Sequence, residues 1–337
     1  MSKIRKLYYF DKKSTQEMMS FLNNSATDTY INQIMFNPFL FLHHFLPLKL
    51  KFLPESFVLK EGKYVKGLIT VAPAKGKHKK VEIQKLFFEE NAYSVASELI
   101  QYVVSKYKAM GAPSILVKVD DYLPELLSIF VSKCGFNQIS YEKLWRITDY
   151  PKSDFNKKEF RSFKNSDAQA VASLYNDSLL PHFRPLLSKE TQEFRESLFQ
   201  GLSYYSEYKY VIEDKNTKTV VGCITIQTLD NENYIVDITQ AGWINIDINA
   251  VLSYATYQIK KRKKKFGLFV KTKRYTSVGG NYEEVFKRLG FNCVQNQVVL
   301  TNSSARILKE TAKAGNFTVL GEFCPTNSIL TSHRQQL

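Results

Sequence analysis

The chain has 337 residues, 44% apolar and 23% charged. That suits about two globular domains and excludes disordered, collagenous and disulfide-scaffold chains. The longest apolar stretch, residues 34–48, is broken by Asn37, Pro38, His43, His44 and Pro47, so no clean run of about 18 residues predicts a membrane span. Residues 7–13 are too short and polar for a signal-peptide core, which makes the cytoplasm the expected location. The net charge of +15 directs attention to anionic partners.

In chain order, residues 4–10 read as a strand and 15–22 as a helix. Residues 57–60 and 65–71 read as strands around a turn at Glu61, Gly62 and Lys63. A basic hairpin turn at 75–80 leads to a strand at 81–88, where Val, Ile and Leu alternate with Glu, Gln and Lys. Apolar residues at helical spacing (Leu99, Tyr102, Val103, Tyr107) predict a helix over 95–110, stopped by Gly111. A strand at 115–119, a helix at 123–133 ended by Gly135 and a closing strand at 138–147 complete the first half.

The second half follows the same order. A strand at 160–163 and a helix at 167–179 precede strands at 210–213, 220–227 and 234–239. A helix at 248–263, a strand at 268–272, a helix at 282–289 and a strand at 293–301 follow. Val65-Lys66-Gly67-Leu68-Ile69-Thr70 matches Val220-Val221-Gly222-Cys223-Ile224-Thr225, and Cys134-Gly135-Phe136-Asn137 matches Leu289-Gly290-Phe291-Asn292. Gly67 to Gly222 and Gly135 to Gly290 are both 155 residues. One offset at two separate places indicates an internal duplication. The expected division is a first domain at 1–149, a linker at 150–158 marked by Pro151, a second domain at 159–314 and a tail at 315–337.

This element order, with a helix ending in Gly-Phe before the last strand of each copy, resembles the GNAT N-acetyltransferase superfamily over about residues 1–310. The pairing of two copies looks like the tandem GNAT proteins. The resemblance implies an α/β fold with a mixed α+β sheet in two tandem GNAT-like domains. It further implies an acyl-CoA, such as acetyl-CoA, seated where the fourth and fifth strands splay, with its pyrophosphate on a Gln/Arg-x-x-Gly-x-Gly/Ala loop opening the next helix. In the first copy the matching residues are Asn91, Ser94 and Ala96, with Val95 between them, after the strand end Leu86, Phe87 and Phe88. These residues form the expected cofactor site, and the motif is degenerate. In the second copy Ile246 and Ile248 stand where small residues belong, and Asp247 would repel phosphate. The cofactor is therefore expected in the first copy.

Acyl transfer to an amine needs a base for the attacking nitrogen and a donor for the leaving thiolate. The resemblance assigns the base to a carboxylate on the fourth strand. Glu82 matches in the first copy and Asp237 in the second. The usual tyrosine acid, four residues before the Gly of Gly-Phe, is replaced by Val131 and Phe286; Tyr122 and Tyr282, near the starts of the same helices, are the substitutes. His43, His44 and His182 are further base candidates because histidine titrates near neutral pH. Cys134, Cys223, Cys293 and Cys324 make no CxxC or metal spacing, so reduced structural thiols and no metal site are expected. The run Lys260, Lys261, Arg262, Lys263, Lys264 and Lys265 ends a helix with more charge than its dipole needs, and suggests a polyanion contact.

The leading expectation is thus an acyl-CoA-dependent N-acyltransferase, transferring an acetyl group to an amine of unread class. The second copy would be degenerate or shape the acceptor site. Two other readings stand beside it. One is a non-catalytic GNAT-like protein that senses CoA or binds a polyanion or protein. The other is an aminoacyl-tRNA-using transferase of the Fem type.

Overall fold

The computed structural model describes residues 2–19, 54–73, 80–89, 92–150, 155–196 and 206–303. Asn91, His43, His44, Cys324, most of the basic hairpin at 75–80 and the tail lie outside the described residues. The chain divides into two compact units. The first comprises residues 2–139 with 297–303, and the second residues 140–296.

The first unit opens with β1 (Ser2–Lys6) and α1 (Lys12–Met19), followed by β2 (Glu55–Glu61), β3 (Tyr64–Pro73) and β4 (Val81–Phe88). Then come α2 (Tyr93–Ala109), β5 (Ser114–Asp120) and α3 (Pro124–Ser128), which continues as a π-turn over Ile129–Lys133. The second unit contains β6 (Asn137–Ile147) from Ser140 onward, β7 (Phe160–Ser162), α4 (Ala168–Ser178), β8 (Ser206–Glu213), β9 (Val220–Thr228) and β10 (Asn233–Gln240). It continues with α5 (Ile248–Lys260), β11 (Gly267–Lys273), α6 (Gly279–Arg288) and the first half of β12 (Asn292–Ser303).

Each unit is a mixed sheet with one parallel pair. In the first, β1 to β4 run as antiparallel neighbours, β4 pairs parallel with β5, and β5 pairs antiparallel with β12. In the second, β7 to β10 are antiparallel neighbours, β10 pairs parallel with β11, and β11 pairs antiparallel with β6. The closing strands are therefore exchanged. The last strand of the first copy completes the second sheet, and the last strand of the second copy completes the first. Val298 and Leu300 of β12 are buried in the core of the first unit, and Trp145 and Ile147 of β6 in that of the second.

The two repeat anchors have physical explanations. Gly135 (φ +68°) and Gly290 (φ +74°) sit in the left-handed region that ends a helix. Phe136 and Phe291 then donate back to the helix, to the carbonyls of Phe130 and Phe286, at 2.9 Å each, and both rings are buried. At Gly67 the need is close approach. A Cβ there would lie 2.5 Å from Val95 Cγ1 and 2.9 Å from Leu99 Cδ1, so α2 seats directly on β3. On β9, Gly222 is just as tightly approached, by Ile246 of the segment leading into α5 and by Ile212 of β8.

A third repeated feature emerges from the geometry. Arg5 makes two bonds to Asp11, at 2.8 and 2.7 Å, and Asp11 accepts the Tyr8 N–H. Arg161 likewise makes two bonds to Asp167, at 2.7 and 2.9 Å, and Asp167 accepts the Lys164 N–H. Each aspartate thus pins the first strand to the start of the first helix. Burial works to raise the Asp11 carboxyl, but hydrogen bonds from Arg5, Lys60 and the Tyr8 N–H outweigh it and hold it below its ordinary value. For Asp167 the Arg161 bond dominates in the same direction.

Candidate functional site

The parallel pair of the first unit is short. β4 and β5 pair only at Val81↔Ile115, Glu82↔Leu116 and Ile83↔Val117. Beyond Ile83 the strands part, while β4 runs on to Phe88 and β5 to Asp120. A β-bulge marks the same point. On β3, Thr70 faces Lys85 and Val71 faces Ile83, which leaves Gln84 as the extra residue. The bulge reverses the faces of the strand. Val81 and Ile83 enter the α2-side core before it, and Leu86 and Phe88 after it. Lys85 is consequently turned away from that core, yet only 8% of it is exposed.

A polar cluster accompanies Lys85. Asp120, at the end of β5, is 2% exposed and accepts from Gln297 Nε2 at 3.1 Å. Burial pulls the Lys85 ammonium down to about 8, against the attraction of Asp120. Burial also pushes the neighbouring Tyr122 hydroxyl up to about 12, with the Asp120 charge acting in the same direction. Just past the parting, α2 begins at Ala92 without a side-chain cap. Helix starts leave backbone N–H donors unspent, and an anion suits them.

The corresponding place in the second unit is built differently. β10 and β11 pair from Asn233↔Gly267 to Val236↔Val270 and then part. The β9–β10 register has no bulge, so Tyr234, Val236 and Ile238 face the core in unbroken alternation. Asp247 caps α5, its side chain accepting the Asn249 N–H at 2.9 Å. A cleft of about 480 Å³ opens here, lined by residues 240 and 242–248 and by Val278, Asn281, Tyr282 and Val285. A Cβ at Gly242 would collide with Ser277, so this glycine lets the loop wall sit against the segment leading into α6.

The sequence candidates fall as follows. Glu82 lies in the paired part of β4, 44% exposed and 3.9 Å from Lys118. Tyr122 follows β5 and packs partly buried on the core. Leu86, Phe87 and Phe88 have wholly buried side chains, which leaves their backbone edge toward the parting. Ser94 is exposed, and Val95 packs near Gly67. Ala96 is fully buried in the core, so its side chain does not face the helix start. Asp237 bonds Lys273 Nζ at 2.5 Å and keeps Oδ1 buried without a hydrogen-bond partner. Tyr282 lines the second-unit cleft, and burial pushes its hydroxyl far above its ordinary value. His182 lies against Phe183 at a tilt of 49°, with ring centroids 3.9 Å apart.

Lys85 and Asp120 were not singled out by sequence reasoning. Gln84-Lys85, two polar residues in succession within an alternating strand, is the signal that marks the bulge.

No family model matches the chain, and no curated protein matches its sequence. Solved structures do. A tandem GNAT protein from the clavulanic acid biosynthesis pathway (without AcCoA) aligns with a TM-score of 0.61 at 10% identity, covering 91% of this chain and 99% of that one. The chain has the tandem GNAT fold. Other neighbours include a putative acetyltransferase from Pyrococcus horikoshii, with a TM-score of 0.57, 8% identity and coverage of 92% and 91%. A GCN5-related N-acetyltransferase from Sphaerobacter thermophilus aligns at 0.56, with 9% identity and coverage of 90% and 95%. Within this GNAT fold the two partings between parallel strands are the equivalent places of the two copies. No helix among the described residues is long and apolar enough to cross a membrane. Cys134, Cys223 and Cys293 form no disulfide among the described residues.

The basic run follows the end of α5 in the second GNAT unit, and part of it is engaged locally. Lys260 lies over Tyr150 at 5.6 Å and Lys261 over Tyr257 at 4.3 Å. Arg262 stacks on Tyr208 at 3.9 Å and bonds the Gln258 carbonyl and the Tyr210 hydroxyl. Lys263 is 3.9 Å from Glu232, and Lys264 and Lys265 are exposed.

Proposed function

We propose that the protein is an acyl-CoA-dependent N-acyltransferase whose first unit holds the acyl donor and carries the chemistry. The observation behind this reading is the coincidence, at one place, of parted parallel strands, an uncapped helix start and a buried lysine. The residues fit an acyl-CoA. The free backbone edge of Leu86, Phe87 and Phe88 would hold an extended amide-bearing arm, and the start of α2 at Ser94 and Val95 would take the diphosphate. The bound group supplies an activated thioester.

The chain's own residues then divide the proton work. Lys85 Nζ, titrating at about 8, matches the ordinary value of roughly 8.5 for a thiol and is suited to protonate a departing thiolate. Tyr122, pushed up to about 12, is too weak an acid for that step, and its hydroxyl serves to orient Asp120. Asp120 in turn keeps the Lys85 ammonium from losing its proton entirely. Glu82 precedes the bulge on the face that Lys85 takes after it, and is the carboxylate available to attract and deprotonate an amine. An acetyl group and a small amine acceptor are the simplest partners for this arrangement.

Isothermal titration of the full chain with acetyl-CoA and CoA tests the reading. One site of micromolar affinity is expected, weakened about tenfold or more by Ser94→Glu, which puts a carboxylate at the helix start. An absence of binding by the wild type overturns it.

A further inference from the structure

We propose that the cleft of the second unit is a binding site for an organic ammonium, an amine with an apolar body, and that it excludes phosphorylated ligands. The inference stands whether or not the first unit transfers acyl groups.

Three observations carry it. The first is a pair of buried oxygens without partners. Gln240 is 4% exposed and lines the cleft. Its Nε2 is committed to the Ile244 carbonyl at 3.0 Å, which fixes the amide and leaves Oε1 as a buried acceptor with no hydrogen bond. Tyr282 lines the same cleft, and its hydroxyl is likewise buried without a hydrogen-bond partner. Buried polar atoms are normally satisfied, so two orphaned oxygens on residues that line one cleft call for a donor. They also border a void of about 10 Å³, the space of a single water, whereas the cleft proper is about 480 Å³ and admits a small organic molecule.

The second observation is charge. On a chain of net charge +15, Asp247 is the one charged residue among the described residues lining this cleft. Its side chain also occupies the start of α5 by accepting the Asn249 N–H, so the position where a helix would welcome phosphate already holds a carboxylate. A cation is favoured and an anion repelled.

The third is the wall chemistry. Ile246, Val278 and Val285 provide apolar surface for a hydrocarbon body. Trp243, 73% exposed, borders the opening and offers an aromatic face of the kind that attracts ammonium groups. An ammonium supplies several N–H donors and no acceptor. It therefore complements Gln240 Oε1, the Tyr282 oxygen and the Asp247 carboxylate together.

Trp243 provides the readout, because the other tryptophan, Trp145, is 2% exposed in the core. The full chain is titrated with 2-phenylethylamine, tryptamine and spermidine, following tryptophan emission for the non-indole amines and heat for all three. The neutral isostere 2-phenylethanol and CoA serve as controls. Saturable binding of 2-phenylethylamine or tryptamine at one site per chain is expected, with the alcohol at least tenfold weaker. Asp247→Asn keeps a good helix cap while removing the charge, and should weaken the amine about tenfold or more. Tyr282→Phe removes only the hydroxyl and should weaken it several-fold. The proposal is overturned if no amine binds, if Asp247→Asn leaves amine affinity unchanged, or if CoA competes with the amine. CoA binding that leaves Trp243 emission undisturbed belongs to the first unit. That result separates the fate of this proposal from that of the acyltransferase reading.

Discussion

The two partings between parallel strands are the same place in a duplicated frame, yet they present opposite chemistry. In the first unit a single bulge residue, Gln84, turns Lys85 off the core face, and the helix beyond has no side-chain cap. In the second, β10 keeps its alternation, and Asp247 spends a carboxylate on the helix start. On the reading proposed above, one inserted residue and one capping residue divert one site toward an anionic donor and the other away from it. The frame is held by packing at Gly67 and Gly222 and by the Gly-Phe helix ends, and these are common to both copies.

The largest expected effect that tests this contrast is at Lys85. Lys85→Met should lower kcat by about a hundredfold or more with little change in acetyl-CoA affinity, measured by steady-state kinetics beside titration calorimetry. With the wild type, the rate should fall as pH rises through about 8, where the ammonium is lost. The same group affects stability. Its folded value lies below the ordinary 10.5, so the unfolded chain binds more protons between about 8 and 10.5, and stability should rise with pH across that window. Urea unfolding midpoints should show this rise in the wild type and not in Lys85→Met.

The repeated Arg–Asp pins rank next. Asp11 is fully buried and serves two cations, Arg5 and Lys60, whereas Asp167 retains slight exposure. Asp11→Asn should cost about 2 kcal/mol and Asp167→Asn less, by chemical denaturation near pH 7. Both carboxyls are held below their ordinary values. Their stabilisation is present above the unfolded carboxylate value and is lost as pH falls through the folded one, so the two variants should converge on the wild type under strong acid.

The smallest effects come from the close-packed glycines. Gly67→Ala drives a methyl against Val95, whose branch point is fixed in the helix, and should cost about 1–2 kcal/mol. At Gly222 the nearest atom is the far end of Ile246, which can rotate aside, so Gly222→Ala should cost less. Equal losses in thermal unfolding would show that the two close approaches are equivalent after all.

Much of the frame was legible because it is written locally. The alternation over Val81–Phe88, the helical spacing before Gly111 and the Gly-Phe stops all act within a few residues of where they are read. The Arg5–Asp11 and Arg161–Asp167 pairs were present as matched spacings, but a charge pair carries no signature until a strand and a helix start are brought together. At the first-unit parting, Ser94 and Val95 lie in the first turn of α2, where the sequence placed a helix start. Ala96 lies one turn along with its methyl in the core, a burial that the local pattern of small residues did not announce.

The sequence by itself determined the duplication, the order of the elements and the glycines that stop three of the helices, Gly111, Gly135 and Gly290, since these depend on periodicity and backbone preference over short distances. Only the tertiary structure decided which strand closes which sheet. β6 and β12 are apolar enough to complete either sheet, and the choice lies in pairing between segments more than a hundred residues apart. Tertiary pairing also decided the fate of Lys85. A bulge exists only relative to a partner strand, and the register against β3 is what turns an ordinary strand lysine into a buried group between parted strands.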